Sequence, residues 1–152
     1  MEGRAFLATR TEKGKGKEMP VNKGRVRLLV AALRSGEYKK THGRLHRTEP
    51  NGWCCLGVAS DVAHKFGLWV DRAAVEFSQC ESFDGDVSYM PRSVMEWYGF
   101  DSNNPLLRRP DGRTLAASTL NDSGYVPEGE SEYTDVSLND IGRFFKDTYL
   151  KK

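Results

Sequence analysis

Covalent or acid–base chemistry in this chain would have to come from three cysteines, Cys54, Cys55 and Cys80, three histidines, His42, His46 and His64, and a scatter of aspartates. Cys54 opens the strongest helical pattern in the sequence, where the positive end of the helix dipole and free backbone N–H groups favour a thiolate. A nucleophile there needs a base. His64 lies ten residues along the same helix, about 15 Å up its axis, too far for direct proton transfer. His46 is nearer, because a reversal at Pro50-Asn51-Gly52 would fold it back beside Cys54. The enzyme reading is therefore a cysteine-dependent hydrolase or transferase using Cys54 with His46. Against it, a papain-like order puts the histidine well after the cysteine, and no histidine follows residue 64. The competing reading packs both thiols as small apolar residues at a strand-to-helix junction. An odd cysteine count without a secretory signal points to reduced thiols.

Metal chemistry finds less support. Adjacent Cys54 and Cys55 do not offer Cys-x-x-Cys geometry, and Cys80 with the histidines makes no ligand spacing. Asp84, Asp86, Asp122 and Asp140 are a conceivable carboxylate set, but Asp84-Gly85-Asp86 lacks the further oxygen ligands of a calcium loop. Asn121-Asp122-Ser123-Gly124 reads as turn chemistry. The expectation is a protein without metal or cofactor, and a binding protein rather than an enzyme.

Charge gives the binding candidates. The net charge of +2 conceals 13 Lys/Arg against 4 Asp/Glu in residues 1–47, and 10 against 17 in the remainder. Arg25, Arg27, Lys39, Lys40, Arg44 and Arg47 are positioned to track phosphates, with Tyr38 available for stacking. A basic surface equally suits an acidic protein partner. The opposite pole, Glu128, Glu130, Glu132 and Asp135, offers an acidic face that would imitate phosphates toward a DNA-binding protein. Gly14-Lys15-Gly16-Lys17 lacks the pattern of a phosphate-cradling loop.

The elements that must position these residues follow from periodicity. Val26, Leu29, Val30 and Leu33 fall at helical spacing between Asn22 and Gly36, predicting an amphipathic helix over 23–35. Cys55, Val58, Ala59, Val62, Ala63 and Phe66 predict a second helix over 54–66, stopped by Gly67. Arg44 to Arg47 is a candidate strand before the reversal, and Leu68–Val70 and Ala74–Phe77 are shorter ones. Pro91 starts a helix to Tyr98, closed by Gly99. Leu106–Arg109 and Arg113–Leu115 flank a Pro-Asp-Gly turn, and Ala116–Asn121 is a short helix. Tyr125–Tyr133 reads as an acidic loop. Ser137 and Asp140 form a capping box ahead of a last helix marked by Leu138, Ile141, Phe145 and Tyr149. Residues 1–20 read as a loosely ordered basic segment and 21–152 as a single compact α+β domain, about four helices around a small, mostly antiparallel sheet. The expected core is Leu29, Leu33, Cys55, Val58, Ala59, Val62, Phe66, Ile141 and Phe145.

Four segments together carry a resemblance: Ala31-Ala32-Leu33-Arg34-Ser35-Gly36-Glu37-Tyr38-Lys39, Gly52-Trp53-Cys54-Cys55-Leu56-Gly57-Val58-Ala59-Ser60-Asp61, Leu120-Asn121-Asp122-Ser123-Gly124, and Val136 to Phe145. They resemble a family of small proteins encoded by bacteriophages, especially those of actinobacteria, with an ALRSGxY helix end, a CCLGV helix start and an LNDxG turn. Ser60 stands where many relatives have a third cysteine, and Glu128–Glu132 is an acidic insertion. The resemblance implies phage origin and brings no activity with it. No apolar run approaches the roughly 18 to 20 residues of a membrane span, and Met1–Leu7 has no signal-peptide core. The chain is therefore expected in the bacterial host cytoplasm, bound to a host regulator, a defence component or nucleic acid.

Overall fold

The structure, a computed structural model, describes residues 20–124 and 135–151. The expected loose segment ahead of Pro20 and the acidic loop at 125–133, with Glu128, Glu130 and Glu132, lie outside the described residues.

Helix α1 (Lys23–Arg34) begins where Asn22 Oδ1 accepts the Arg25 N–H at 3.1 Å, and Gly36 follows its end with φ +80°. Val26, Leu29, Val30 and Leu33 are buried along one face, each contributing about 1.5–3 kcal/mol if fully withdrawn from water. Strands β1 (His46–Thr48) and β2 (Asn51–Trp53) form an antiparallel hairpin. Its two turn residues are Glu49 and Pro50. Asn51 and Gly52 thus belong to the second strand rather than to the reversal, and the first strand starts at His46 instead of Arg44.

Helix α2 (Cys55–Lys65) is central: every residue from Cys55 to Ala63 is buried. A helix buried all round must meet neighbours on every side, and α1, α3 and α4 all pack against it. The approach is closest at Gly57, where a Cβ would stand 1.8 Å from the Leu45 carbonyl oxygen. The periodicity had placed Phe66 in the core, but it is 58% exposed. It caps the helix end, and the chain turns away at Gly67 before Phe66 can rejoin the apolar side.

Strands β3 (Arg72–Val75) and β4 (Cys80–Phe83) complete a four-stranded antiparallel sheet in the order β2-β1-β4-β3. Leu68–Val70 is not a strand, and Phe77 falls in the β3–β4 turn with φ +68°. Helix α3 (Arg92–Tyr98) follows Pro91 and stops at left-handed Gly99, and its Tyr98 hydroxyl donates to the Ala59 carbonyl of α2 at 2.7 Å. Strands β5 (Leu106–Arg108) and β6 (Thr114–Ala116) form a separate hairpin leading into α4 (Ala117–Asp122).

Helix α5 (Leu138–Tyr149) carries the capping box of Ser137 and Asp140. It packs on α1 more extensively than any other pair of elements meet. Gly142 allows this, since a Cβ there would lie 2.8 Å from Arg34 Cγ and 3.1 Å from Leu33 Cβ. The architecture is a compact α+β domain, and its five described helices each fall on a helical segment that the sequence suggested, the short α4 bringing the count above the expected four or so. Of the nine residues expected in the core, all but Phe66 are buried. Among the described residues, no helix is long and apolar enough to cross a membrane.

Candidate functional site

Cys54 is the N-cap of α2 rather than a residue of its first turn. Its Sγ accepts the Gly57 N–H at 3.4 Å, and the side chain is buried at 4% exposure. Burial pushes its thiol up to about 12, with the Asp122 carboxylate adding to the rise against the backbone donors. Cys55 is raised in the same direction by complete burial. The sequence had assigned the helix dipole to thiolate formation, but removal from water outweighs it here. A cleft of about 120 Å³ beside Cys54 is lined by Gly43, Ser88, Tyr89, Ser118 and Asp122. Asp122 Oδ1 in turn accepts from the Gly43 N–H and Asn121 Nδ2.

His46 is equally committed. Nδ1 lies 2.6 Å from Glu81 Oε1, Nε2 lies 2.8 Å from Asn51 Oδ1, and the ring stacks on Trp53 at 3.7 Å. The Cys54–His46 pair is thus not assembled: the thiol is held neutral as a cap and both ring nitrogens are occupied elsewhere.

What His46 joins is an ionic network that sequence reasoning missed. Arg72 donates to both oxygens of Glu81 at 2.9 and 3.0 Å and to Asp61 Oδ1 at 2.7 Å. Asp61 Oδ2 receives the Tyr38 hydroxyl at 2.6 Å and pairs with Lys65 at 3.0 Å. Burial raises the Asp61 carboxyl, but hydrogen bonds from Tyr38, Lys65 and Arg72 outweigh it and hold it below the usual carboxylate value. Glu81 is lowered similarly, with Arg72 and His46 overcoming its burial. The network fastens α2 to the sheet.

The expected basic group is dispersed by the fold. Arg25 donates to the Trp97 carbonyl at 2.8 Å and lies over the Trp97 ring at 4.4 Å. Tyr38 is half-buried, edge-on to Trp53 and bonded to Asp61, so its ring is not offered for stacking. Lys40 pairs with Asp135 and donates to the Val136 carbonyl, which also occupies the one described residue of the expected acidic face. Lys39 is exposed, with its carbonyl bonded to Trp53 N–H. Arg44 donates to the Gly43 carbonyl, and Arg47 is half-buried in β1.

Lys40 shares a recess with Arg34, but Asp135 lines it too and pairs with Lys40, whereas Arg27 meets two further cations on a recess lined by no carboxylate. A groove of about 420 Å³ between α1 and α5 is lined by Arg27, Val30, Ala31, Arg34, Lys146 and Leu150. Arg34 Nε donates to Asn139 Oδ1 at 3.2 Å. Among the described residues, no carboxylate pairs with Arg27, Arg34 or Lys146, whereas Lys65, Arg72, Arg92, Arg143 and Lys151 all have acidic partners. The described residues also contain no group of three or more His, Cys, Asp or Glu side chains arranged to hold a metal ion.

The model of a domain of unknown function, DUF8296, matches residues 23–148, from the first residue of α1 to the penultimate residue of α5. The chain belongs to the DUF8296 family. No curated protein and no solved structure gives a significant match. The match takes in the full set of described helices and strands except Tyr149, and with it the network of His46, Asp61, Arg72 and Glu81 and every residue lining the α1–α5 groove except Leu150. Within this DUF8296 domain, Arg34 and Lys146 had no sequence signal linking them. Their association depends on α5 docking against α1 at Gly142, which only the three-dimensional fold supplies.

Proposed function

We propose that this chain is a small binding protein of phage origin that works by associating with an anionic surface of a host macromolecule: a regulator, a defence component or a nucleic acid. Its working face is the outer side of α1 and α5. The observation that carries this reading is the grouping of Arg27, Arg34 and Lys146 around one recess without described acidic partners. Like charges held together repel, and an anionic partner relieves that repulsion while speeding encounter through a salt-sensitive field. The phage element rests on the ALRSGEY, CCLGV and LNDSG segments and their resemblance to phage-encoded proteins.

The test is an affinity pull-down from host lysate at low and high salt, with and without nuclease, comparing the native chain with an Arg27→Glu/Lys146→Glu variant. Salt-sensitive capture of a specific partner that the variant loses is the expected result. Capture unaltered by reversing both charges would remove this face from consideration.

A further inference from the structure

Resting on that assignment of the α1–α5 face, we propose that the groove receives an acidic amphipathic helix of a host protein. The recess has two chemistries. Its floor is apolar, formed by Val30 and Ala31 of α1 and by Leu150 just past the end of α5, and its rim is cationic, formed by Arg27, Arg34 and Lys146.

Arg27, Val30, Ala31 and Arg34 occupy i, i+3, i+4 and i+7 of α1 and so share one face. The two arginines are therefore about 10 Å apart along the axis. A second helix laid along the groove reproduces that interval with acidic residues seven positions apart. An apolar residue between them then falls over the floor, as in helix-in-groove recognition. Lys146 on the opposite rim takes a third carboxylate.

Nucleic acid fits the same rim less well. Phosphate contacts would leave the Val30, Ala31 and Leu150 floor without a partner, and no aromatic side chain lines the groove to stack a base. A second copy of the chain is also a poorer occupant. Asp140 and Asp147 are seven apart on α5, but each already pairs within its own helix end, with Arg143 and Lys151. The side chains between them include buried Ile141, Phe144 and Phe145.

The experiment uses three probes on the full chain by fluorescence anisotropy: a synthetic helix with glutamates seven residues apart and leucines between them, a scrambled peptide of the same composition, and a short DNA duplex. The designed helix is expected to bind, with affinity falling at least tenfold for Arg27→Glu/Lys146→Glu and in high salt, and clearly better than the scrambled peptide. Arg92→Glu, an exposed change on α3, is expected to leave binding unaltered. Equal binding of the designed and scrambled peptides would overturn the helix assignment, because charge alone would then suffice. Tighter binding of the duplex, with the peptide bound weakly, would also overturn it while preserving the basic-face reading. Peptide-independent self-association abolished by the double variant would make a second copy the occupant and reject a host helix. If neither peptide nor duplex bound, and charge reversal left the lysate interactions unchanged, both proposals would fall.

Discussion

At the scale of single residues, two side chains are used against the habits of their type. Cys54 stands where a helix start would activate a thiol, yet its Sγ closes the first turn by accepting the Gly57 N–H. With the thiol held up to about 12 by burial, iodoacetamide is expected to label Cys54 in the native protein far more slowly than free cysteine at neutral pH. Mass spectrometry should find all three thiols reacting together only on denaturation. Rapid native labelling of Cys54 would restore the nucleophile reading. Cys54→Ala, which removes the acceptor, should cost about 1 kcal/mol in urea unfolding, while Cys54→Ser keeps a cap and should cost less. Phe77 is the second case: it is 97% exposed and held at φ +68° in the β3–β4 turn. Left-handed backbone costs an L-residue about 1–2 kcal/mol, and asparagine tolerates it better than phenylalanine. Phe77→Asn loses no buried surface, so thermal unfolding is expected to move upward by a few degrees. A lowered midpoint would mean that the exposed ring makes a contribution its exposure does not suggest.

At the scale of elements, α2 depends on contacts from distant parts of the chain. Asn121 Oδ1 accepts the Cys55 N–H at 3.0 Å and its Nδ2 donates to the Thr41 carbonyl at 2.8 Å, so one buried amide joins α4, the start of α2 and the segment before β1. The LNDSG segment had suggested a simple turn, but Asn121 acts as an interior tie. Asn121→Ala strands the buried Cys55 N–H and the part-buried Thr41 carbonyl, at about 1–3 kcal/mol each. Urea unfolding should therefore show a loss of about 3 kcal/mol, and a loss under 1 kcal/mol would contradict the tie. Helices α1, α2 and α5 were legible because periodicity and caps are local, as at Asn22, Gly36, Ser137 and Asp140. Phe66 was misread because the pattern continues one residue past the point where the backbone leaves the helix. Strand β4 went unrecognised because Cys80-Glu81-Ser82-Phe83 sets a half-buried glutamate in the sheet, a choice that makes sense only with Arg72 and His46 across the sheet. Arg27 was visible as a candidate and Arg34 is seven residues on in the same helix, but Lys146 was not legible, since no local pattern encodes one helix docking on another.

At the scale of the whole molecule, the network of His46, Asp61, Arg72 and Glu81 is the polar tie between the sheet and the central helix, and it makes stability depend on pH. Asp61 and Glu81 both have folded-state values lowered from those of free carboxylates. A carboxyl lowered on folding contributes stability above its unfolded value, about 4, and that contribution disappears as pH falls through the lowered folded value. Urea-unfolding free energy should therefore hold near neutrality and decline steeply on the acid side of the ordinary carboxylate range. Asp61→Asn separates this contribution from the general charging of the protein in acid. The amide cannot ionise, and it leaves the Arg72 guanidinium, 21% exposed, with Glu81 alone. Breaking one partner of a largely buried pair costs about 3 kcal/mol. The variant should thus start lower at neutral pH and lose less on acidification, so that the two profiles converge as Asp61 becomes protonated in the native chain. Parallel profiles, offset equally at every pH, would show that Asp61 contributes by packing rather than by charge, and the acid sensitivity would then have to lie elsewhere in the fold.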